Sequence, residues 1–427
     1  MGIGRSRKIR RTKTVLISLA FLLATSVFVY QLLRVRGLIP PLHSGPHNDG
    51  LGPFFFRLQE ENGEWRFINT SALIDRVFPK EKDAETFRVI LLGASFAQGA
   101  PYFVGMNPMS PKYGDIISWV QALLEMRFPS GKFDMINATV NGIDSGRLKE
   151  IVKMLAPLRP DIMIVITSNN EGLMPPTPMQ QLHESFSRLA AGRLFKGKAH
   201  PFDNSDVTLN REYNRQNREM MEKNTQDIIA MAQKEKISLI LGTIPINLKL
   251  DRVFPAYPWP KFESDDRIER GIRFCAEKRY TEALNEFENS GFHYYATLLK
   301  GECLEAMGRY EDAMKIYVDL VENKPMGRVQ PAFNAFLRKA TSGQAGVYLA
   351  DAEKAYLDHD PHGMPDPGLF WDNCHMKWRG YLIVAREIVR VMIESGLLTG
   401  LPGEPLADPG EQAMIDKYHW HLLNCLE

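Results

Sequence analysis

Ser95 closes the segment Gly93-Ala94-Ser95 directly after an apolar run. A serine hydroxyl so placed can act as a nucleophile if a base stands beside it. A base is available far downstream, in Phe370-Trp371-Asp372-Asn373-Cys374-His375. An aspartate three residues before a histidine can orient the imidazole and leave its other nitrogen free to take a proton from a serine. Two further segments offer hydrogen-bond donors for the negative oxygen that develops in acyl transfer. Gly142, in Asn137-Ala138-Thr139-Val140-Asn141-Gly142-Ile143-Asp144-Ser145, permits close backbone approach to a ligand and can present its N–H. Thr167-Ser168-Asn169-Asn170-Glu171-Gly172 carries two asparagines whose side-chain amides can donate, although such pairs also suit tight turns. Taken alone, the Ser95 and Gly142 segments are more readily read as turns.

The elements between these segments explain how they could meet. Arg88–Leu92 is a short apolar run ending in glycine, the pattern of a buried strand in a parallel sheet. Ile116, Val120, Leu123 and Leu124 mark a helix over Asp115–Phe128, and Phe133–Asn137 a second strand. Leu148, Ile151, Val152, Leu155 and Leu158 mark another helix, stopped by Arg159-Pro160. Asp161–Thr167 is a third strand, Arg211–Lys236 a long helix and Ile237–Ile244 a fourth strand. Strands alternating with helices predict a three-layer α/β/α fold around a parallel sheet, with right-handed crossovers. The carboxyl ends of such strands are where open α/β sheets hold ligands, and the first three candidate segments stand there.

After the fourth strand the pattern changes. Arg279-Tyr280-x-x-Ala283-x-x-x-Phe287 recurs as Arg309-Tyr310-x-x-Ala313-x-x-x-Tyr317, with Gly301, Gly308 and Pro325 spaced as in a tetratricopeptide repeat. Two copies are fewer than the three or more such arrays need, so this module must borrow core from its neighbours. Helices are expected over 330–340 and 344–356, and a final amphipathic helix near Lys377–Ser395.

In this order, the segments around Ser95, Asn137–Ser145, Ser168–Glu171 and Asp372–His375 resemble the four blocks of the SGNH (GDSL-type) hydrolase superfamily. Thr243-Ile244-Pro245-Ile246-Asn247 further looks like the subgroup with a TPR-like helical insertion. The resemblance covers about residues 87–250 and 366–395 and implies a flavodoxin-like parallel sheet. It also implies a serine esterase without cofactor or metal, with Ser95 as nucleophile, His375 as base and Asp372 as its orienter. The oxyanion would be held by the N–H groups of Ser95 and Gly142 and by Asn170, with Asn169 the alternative donor. Two positions depart from the family pattern: Ala94 replaces an acidic residue and Ser168 a glycine.

The N-terminus bears on location. Arg5, Arg7, Lys8, Arg10, Arg11 and Lys13 precede an uncharged apolar stretch from Thr14 to Leu33. Twenty helical residues span a hydrocarbon core of ~30 Å, longer than the centre of a cleaved signal peptide. Six basic residues before the stretch outweigh Arg34 and Arg36 after it, so the N-terminus is expected in the cytoplasm and the rest exported from a bacterial inner membrane. With a net charge of +1 overall, those six leave the remainder of the chain at −5, which excludes an electrostatic footprint for nucleic acid.

The expected organisation is a basic tail (1–13), a transmembrane signal anchor (14–33) and a spacer (34–86) carrying a strand-like piece at Trp65–Ile68. A first part of the hydrolase domain (87–250), the helical insertion (251–360) and the last part of the domain (361–427) follow. The expected substrate is an O-acyl ester. An envelope polysaccharide as acyl acceptor remains an alternative, as does a non-catalytic scaffold that binds a protein through the TPR-like module. Cys275, Cys303, Cys374 and Cys425 fit no zinc spacing and are read as either paired or buried free thiols. His359-Asp360-Pro361-His362 reads as a solvated turn rather than a metal site, and Tyr102, Phe103 and Trp119 as core or acyl-pocket aromatics.

Overall fold

The computed structural model describes residues 56–62, 64–69, 74–79, 81–102, 114–167, 170–171, 207–249, 266–290, 294–322, 330–372 and 374–420. The expected anchor at 14–33, together with Phe103, Ser168, Asn169 and Cys425, lies outside them. Among the described residues no helix is long and apolar enough to cross a membrane.

The region expected as a spacer with one strand-like piece forms three strands: β1 (Phe56–Glu61), β2 (Glu64–Asn69) and β3 (Ile74–Pro79). They pair antiparallel in the order β1-β2-β3, with Glu61 opposite Glu64. The hairpin signal lies in the sequence Asn62-Gly63, since a two-residue turn needs positive φ and Asn62 has φ 53.

The main sheet begins with β4 (Thr86–Gly93), whose Val89, Ile90, Leu91 and Leu92 are fully buried. A single helical turn α1 (Ser95–Gln98) and helix α2 (Ile116–Arg127) lead to β5 (Lys132–Asn137). Helix α3 (Ser145–Leu155) leads to β6 (Ile162–Ile166), and α4 (Val207–Glu235) to β7 (Ser238–Gly242). Two helical hairpins follow, α5 (Asp266–Ala276) with α6 (Tyr280–Asn289), then α7 (Tyr294–Ala306) with α8 (Tyr310–Glu322). Helix α9 (Pro331–Thr341), strand β8 (Val347–Ala350), α10 (Ala352–Leu357), α11 (Trp378–Glu394) and α12 (Glu411–Tyr418) complete the described chain.

The strands are parallel, in the order β5-β4-β6-β7-β8. This is the flavodoxin-like order, and its topological switch lies at β4, where the chain leaves toward β5 and later returns on the other side as β6. Right-handed crossovers put α3, α4 and α9 on one face and α2 and α11 on the other, consistent with the packing of α3 and α9 on α4 and of α2 on α11. Three layers result.

Strand β8 corrects the helix expected over 344–356. Val347–Ala350 pairs with Leu239–Gly242, and only Ala352–Leu357 is helical, capped by the Asp351 carboxylate accepting from the Lys354 N–H. Four residues of strand followed by six of helix, with buried positions in each, imitate one helical period. The range expected as an insertion therefore contributes a fifth strand to the sheet.

The two hairpins repeat in packing as well as in sequence. A Cβ on Gly271 would meet the Phe287 ring at 2.4 Å, and one on Gly301 would meet the Tyr317 ring at 2.4 Å. In each hairpin a glycine on the first helix thus lets an aromatic ring of the second lie against it. The hairpins do not stand alone: Ile268, Ala283, Phe287, Ala313 and Tyr317 belong to the same hydrophobic cluster as the sheet residues Val89, Leu91 and Ile164. Lys249 bonds Glu305, and Asn214 of α4 donates to the Glu322 carbonyl. On the opposite face Trp119 stacks on Trp378 and meets Trp420 edge-on, so Trp119 is a core residue.

Candidate active site

Ser95 stands two residues beyond the end of β4, at the switch point of the sheet. The turn that presents it requires glycine at 93. There φ is 154, and a Cβ would meet the Ile166 carbonyl oxygen at 2.2 Å and the Ala97 Cβ at 2.4 Å. Ala94 is buried and precedes the helical turn without capping it.

Asp372 and His375 lie on a loop closed at its base by an antiparallel bridge between Phe370 and Met376. The Trp371 N–H donates to the His375 carbonyl at 2.8 Å, which folds the loop back on itself. One oxygen of Asp372 accepts the backbone N–H groups of Cys374 and His375, each at 2.7 Å. The other lies 2.6 Å from His375 Nδ1. With Nδ1 so engaged, Nε2 points away from the loop and stands 2.9 Å from Ser95 Oγ. Three residues from two distant parts of the chain thus form one hydrogen-bonded row.

Aromatic residues hold the two parts together. The Tyr102 hydroxyl accepts from Trp371 Nε1 at 2.8 Å and from the Trp378 N–H at 3.1 Å, while the Tyr381 hydroxyl donates to the Ala100 carbonyl at 2.8 Å. Asn247 adds a third tie by donating to the Asp372 carbonyl at 3.2 Å. Tyr102 is therefore a strut behind the row, and burial raises its phenol above the usual range.

Electrostatics follow the same pairs. Burial alone would raise the Asp372 carboxyl, but the hydrogen bond and charge of His375 and the two loop N–H groups hold it down at about 2. Burial pulls the His375 imidazole downward, yet its bonds to Asp372 and to the Cys374 sulfur outweigh this and raise it above the usual histidine range. Asp372, Cys374 and His375 also offer ligand atoms within 4.8 Å of one another. A metal ion there would have to displace the Asp372–His375 hydrogen bond. His362 stacks on Tyr310, while the Asp360 carboxylate accepts the N–H groups of His362 and Met364, which makes that segment a turn.

Gly142 and Asn170 follow β5 and β6, the two strands that flank β4. Gly142 has φ 76, a left-handed conformation that favours glycine. Asn170 is buried and donates one amide hydrogen to the Ile143 carbonyl at 3.2 Å, which binds its loop to that of Gly142. The planar amide has a second hydrogen to offer.

Sequence reasoning did not single out Glu171 and Asn224. Glu171 is almost wholly buried, and its carboxyl meets the Ser145 N–H at 2.7 Å and the Ser145 hydroxyl at 3.0 Å. Asn224 of α4 donates to the same hydroxyl at 3.0 Å. Burial, together with the nearby Asp144 charge, pushes Glu171 up to about 8 against the lowering effect of the Ser145 bonds. The available signal was its place beside Asn170, followed by an interrupted apolar pattern.

The sequence matches no family model, and no curated protein matches it. Among solved structures, the chain is similar to an acetyl xylan esterase at 15% identity and a TM-score of 0.34, over 71% of this chain and 98% of that one. An acetylxylan esterase from Geobacillus stearothermophilus matches at 12% identity and a TM-score of 0.37, over 73% and 96%. An alpha/beta hydrolase enzyme from the metagenome of Lake Arreo matches at 14% and 0.34, over 73% and 96%. Likeness this distant carries no substrate, partner or residue role to this chain.

Proposed function

We propose that this chain is an SGNH-type serine esterase that cleaves an O-acyl ester through an acyl-Ser95 intermediate. The observation that carries the reading is the row Ser95–His375–Asp372, with its separations of 2.9 and 2.6 Å. Ser95 Oγ attacks the acyl carbon while His375 Nε2 takes its proton, and the Asp372 carboxylate stabilises the imidazolium that forms. The N–H groups of Ser95 and Gly142 and the Asn170 amide take the negative oxygen. His375 then returns the proton to the departing alcohol. Water, activated by the same imidazole, releases the acid. A sugar hydroxyl in place of water would make the enzyme an O-acyltransferase of an envelope polysaccharide, with the same intermediate.

The catalytic domain is read as exported and tethered to a bacterial inner membrane, on the strength of the apolar stretch Thr14–Leu33 and the six basic residues before it. The hairpins α5–α8 are read as a short TPR-like module that binds a protein partner, supported by the matching Gly271–Phe287 and Gly301–Tyr317 contacts. A fluorophosphonate probe on the full chain tests the central reading. Labelling of the peptide containing Ser95, lost in Ser95→Ala, is expected. Folded protein that stays unlabelled would point instead to a scaffold.

A further inference from the structure

We propose that Cys275 and Cys303 form a disulfide that staples the two helical hairpins to each other. Cys275 lies near the end of α5 and Cys303 in α7, the first helices of successive hairpins. Their sulfurs are 2.6 Å apart, much nearer to a bond than to a non-bonded sulfur contact. Neither side chain has to move to another part of the fold. Cys374 does not compete, because it sits against the His375 ring, 3.6 and 3.7 Å from its nitrogens.

The surroundings assign an order to the chemistry. Cys303 is buried, whereas Cys275 is only partly so and is the one an external reagent can approach. Cys275 thiolate therefore attacks one sulfur of an external disulfide, of a small thiol or of a protein oxidant, and expels the first thiolate. The Cys303 thiol then loses its proton and attacks the Cys275 sulfur of the mixed disulfide, expelling the second thiolate. Two protons leave the protein and two electrons reduce the oxidant to two thiols.

The bond has a physical task. Two hairpins are too few to sustain a stacked array on their own. A covalent link between α5 and α7 removes conformational freedom from the unfolded chain and so holds the first hairpin on the second. An oxidising compartment is where such a pair persists. The inference does not depend on any role of Ser95.

The test uses the full chain purified without reductant and exposed to oxidised glutathione. After denaturation, alkylation and digestion, mass spectrometry should find Cys275 joined to Cys303 and only Cys374 and Cys425 alkylated. Alkylation of both Cys275 and Cys303 before reduction, or a link from either to Cys374 or Cys425, would overturn the proposal. In melting experiments, reductant should lower the Tm of the wild-type chain by ~5 °C. Cys275→Ser/Cys303→Ser should show no response to reductant. A linked wild-type chain whose Tm ignores reductant would exclude the stapling role. If the double variant does not fold, the labelling of the wild-type chain still decides.

Discussion

Glu171 grips Ser145 twice, at its backbone N–H and at its hydroxyl, and thereby ties the loop that carries Asn170 to the start of α3 just beyond Gly142. One buried carboxyl thus joins the loop after β5 to the loop after β6. Folding raises Glu171 to about 8, well above a free glutamate. The folded state therefore holds a proton that the unfolded chain releases, and this group's contribution to stability falls as pH rises from about 4.5 to 8. Glu171→Gln removes that dependence. Across melts from acid to mildly alkaline pH, wild type should lose Tm relative to the variant as pH rises; parallel curves would show that Glu171 is ionised throughout.

Ser95→Ala removes only a hydroxyl at a site shaped by Gly93. Turnover of a short p-nitrophenyl ester should fall by about 10⁴–10⁶ while circular dichroism and Tm stay unchanged. Retention of most activity would remove Ser95 from the mechanism.

Asn170→Ala should lower kcat by roughly 10²–10³ with little change in KM, since the donor acts on charge that develops in the transition state. The bond to the Ile143 carbonyl is lost as well, so Tm belongs in the comparison. A larger effect from Asn169→Ala would shift the donor by one position.

His375 must be neutral at Nε2 to accept the Ser95 proton, so kcat/KM should rise with pH through the imidazole midpoint. Asp372 and the Cys374 sulfur hold the imidazole above its ordinary value, so the midpoint should lie above ~6.5. Asp372→Asn withdraws the charge and should lower both midpoint and plateau. Cys374→Ala should lower the midpoint alone. Alanine at His359 or His362 should leave the profile intact, and its loss in either variant would contradict the assignment of His375.

A phosphatase fused after Glu427 should be active only if that end is exported, as the six basic residues before the apolar stretch predict. Activity of a cytoplasmic reporter at the same position would reverse the topology.

By itself the sequence determined the four apolar runs that became β4 to β7 and the local Asp372–His375 geometry. A buried strand shows itself as consecutive apolar residues, and an Asp-x-x-His turn closes within a few residues whatever surrounds it. The hairpins were legible for a similar reason, since Tyr280, Ala283 and Phe287 recur at the same spacing as Tyr310, Ala313 and Tyr317. Tertiary structure alone decided what depends on partners distant in the chain. Val347–Ala350 became a strand because β7 offered an unpaired edge, and helical periodicity over 344–356 could not reveal that edge. Cys275 faces Cys303 because α5 packs on α7, a choice among pairings that spacing leaves equal. Glu171 meets Ser145 because two loops rise from opposite sides of β4. Local periodicity encodes which face a residue buries, but the residue it meets there is chosen only when the strands have been ordered and the loops between them closed.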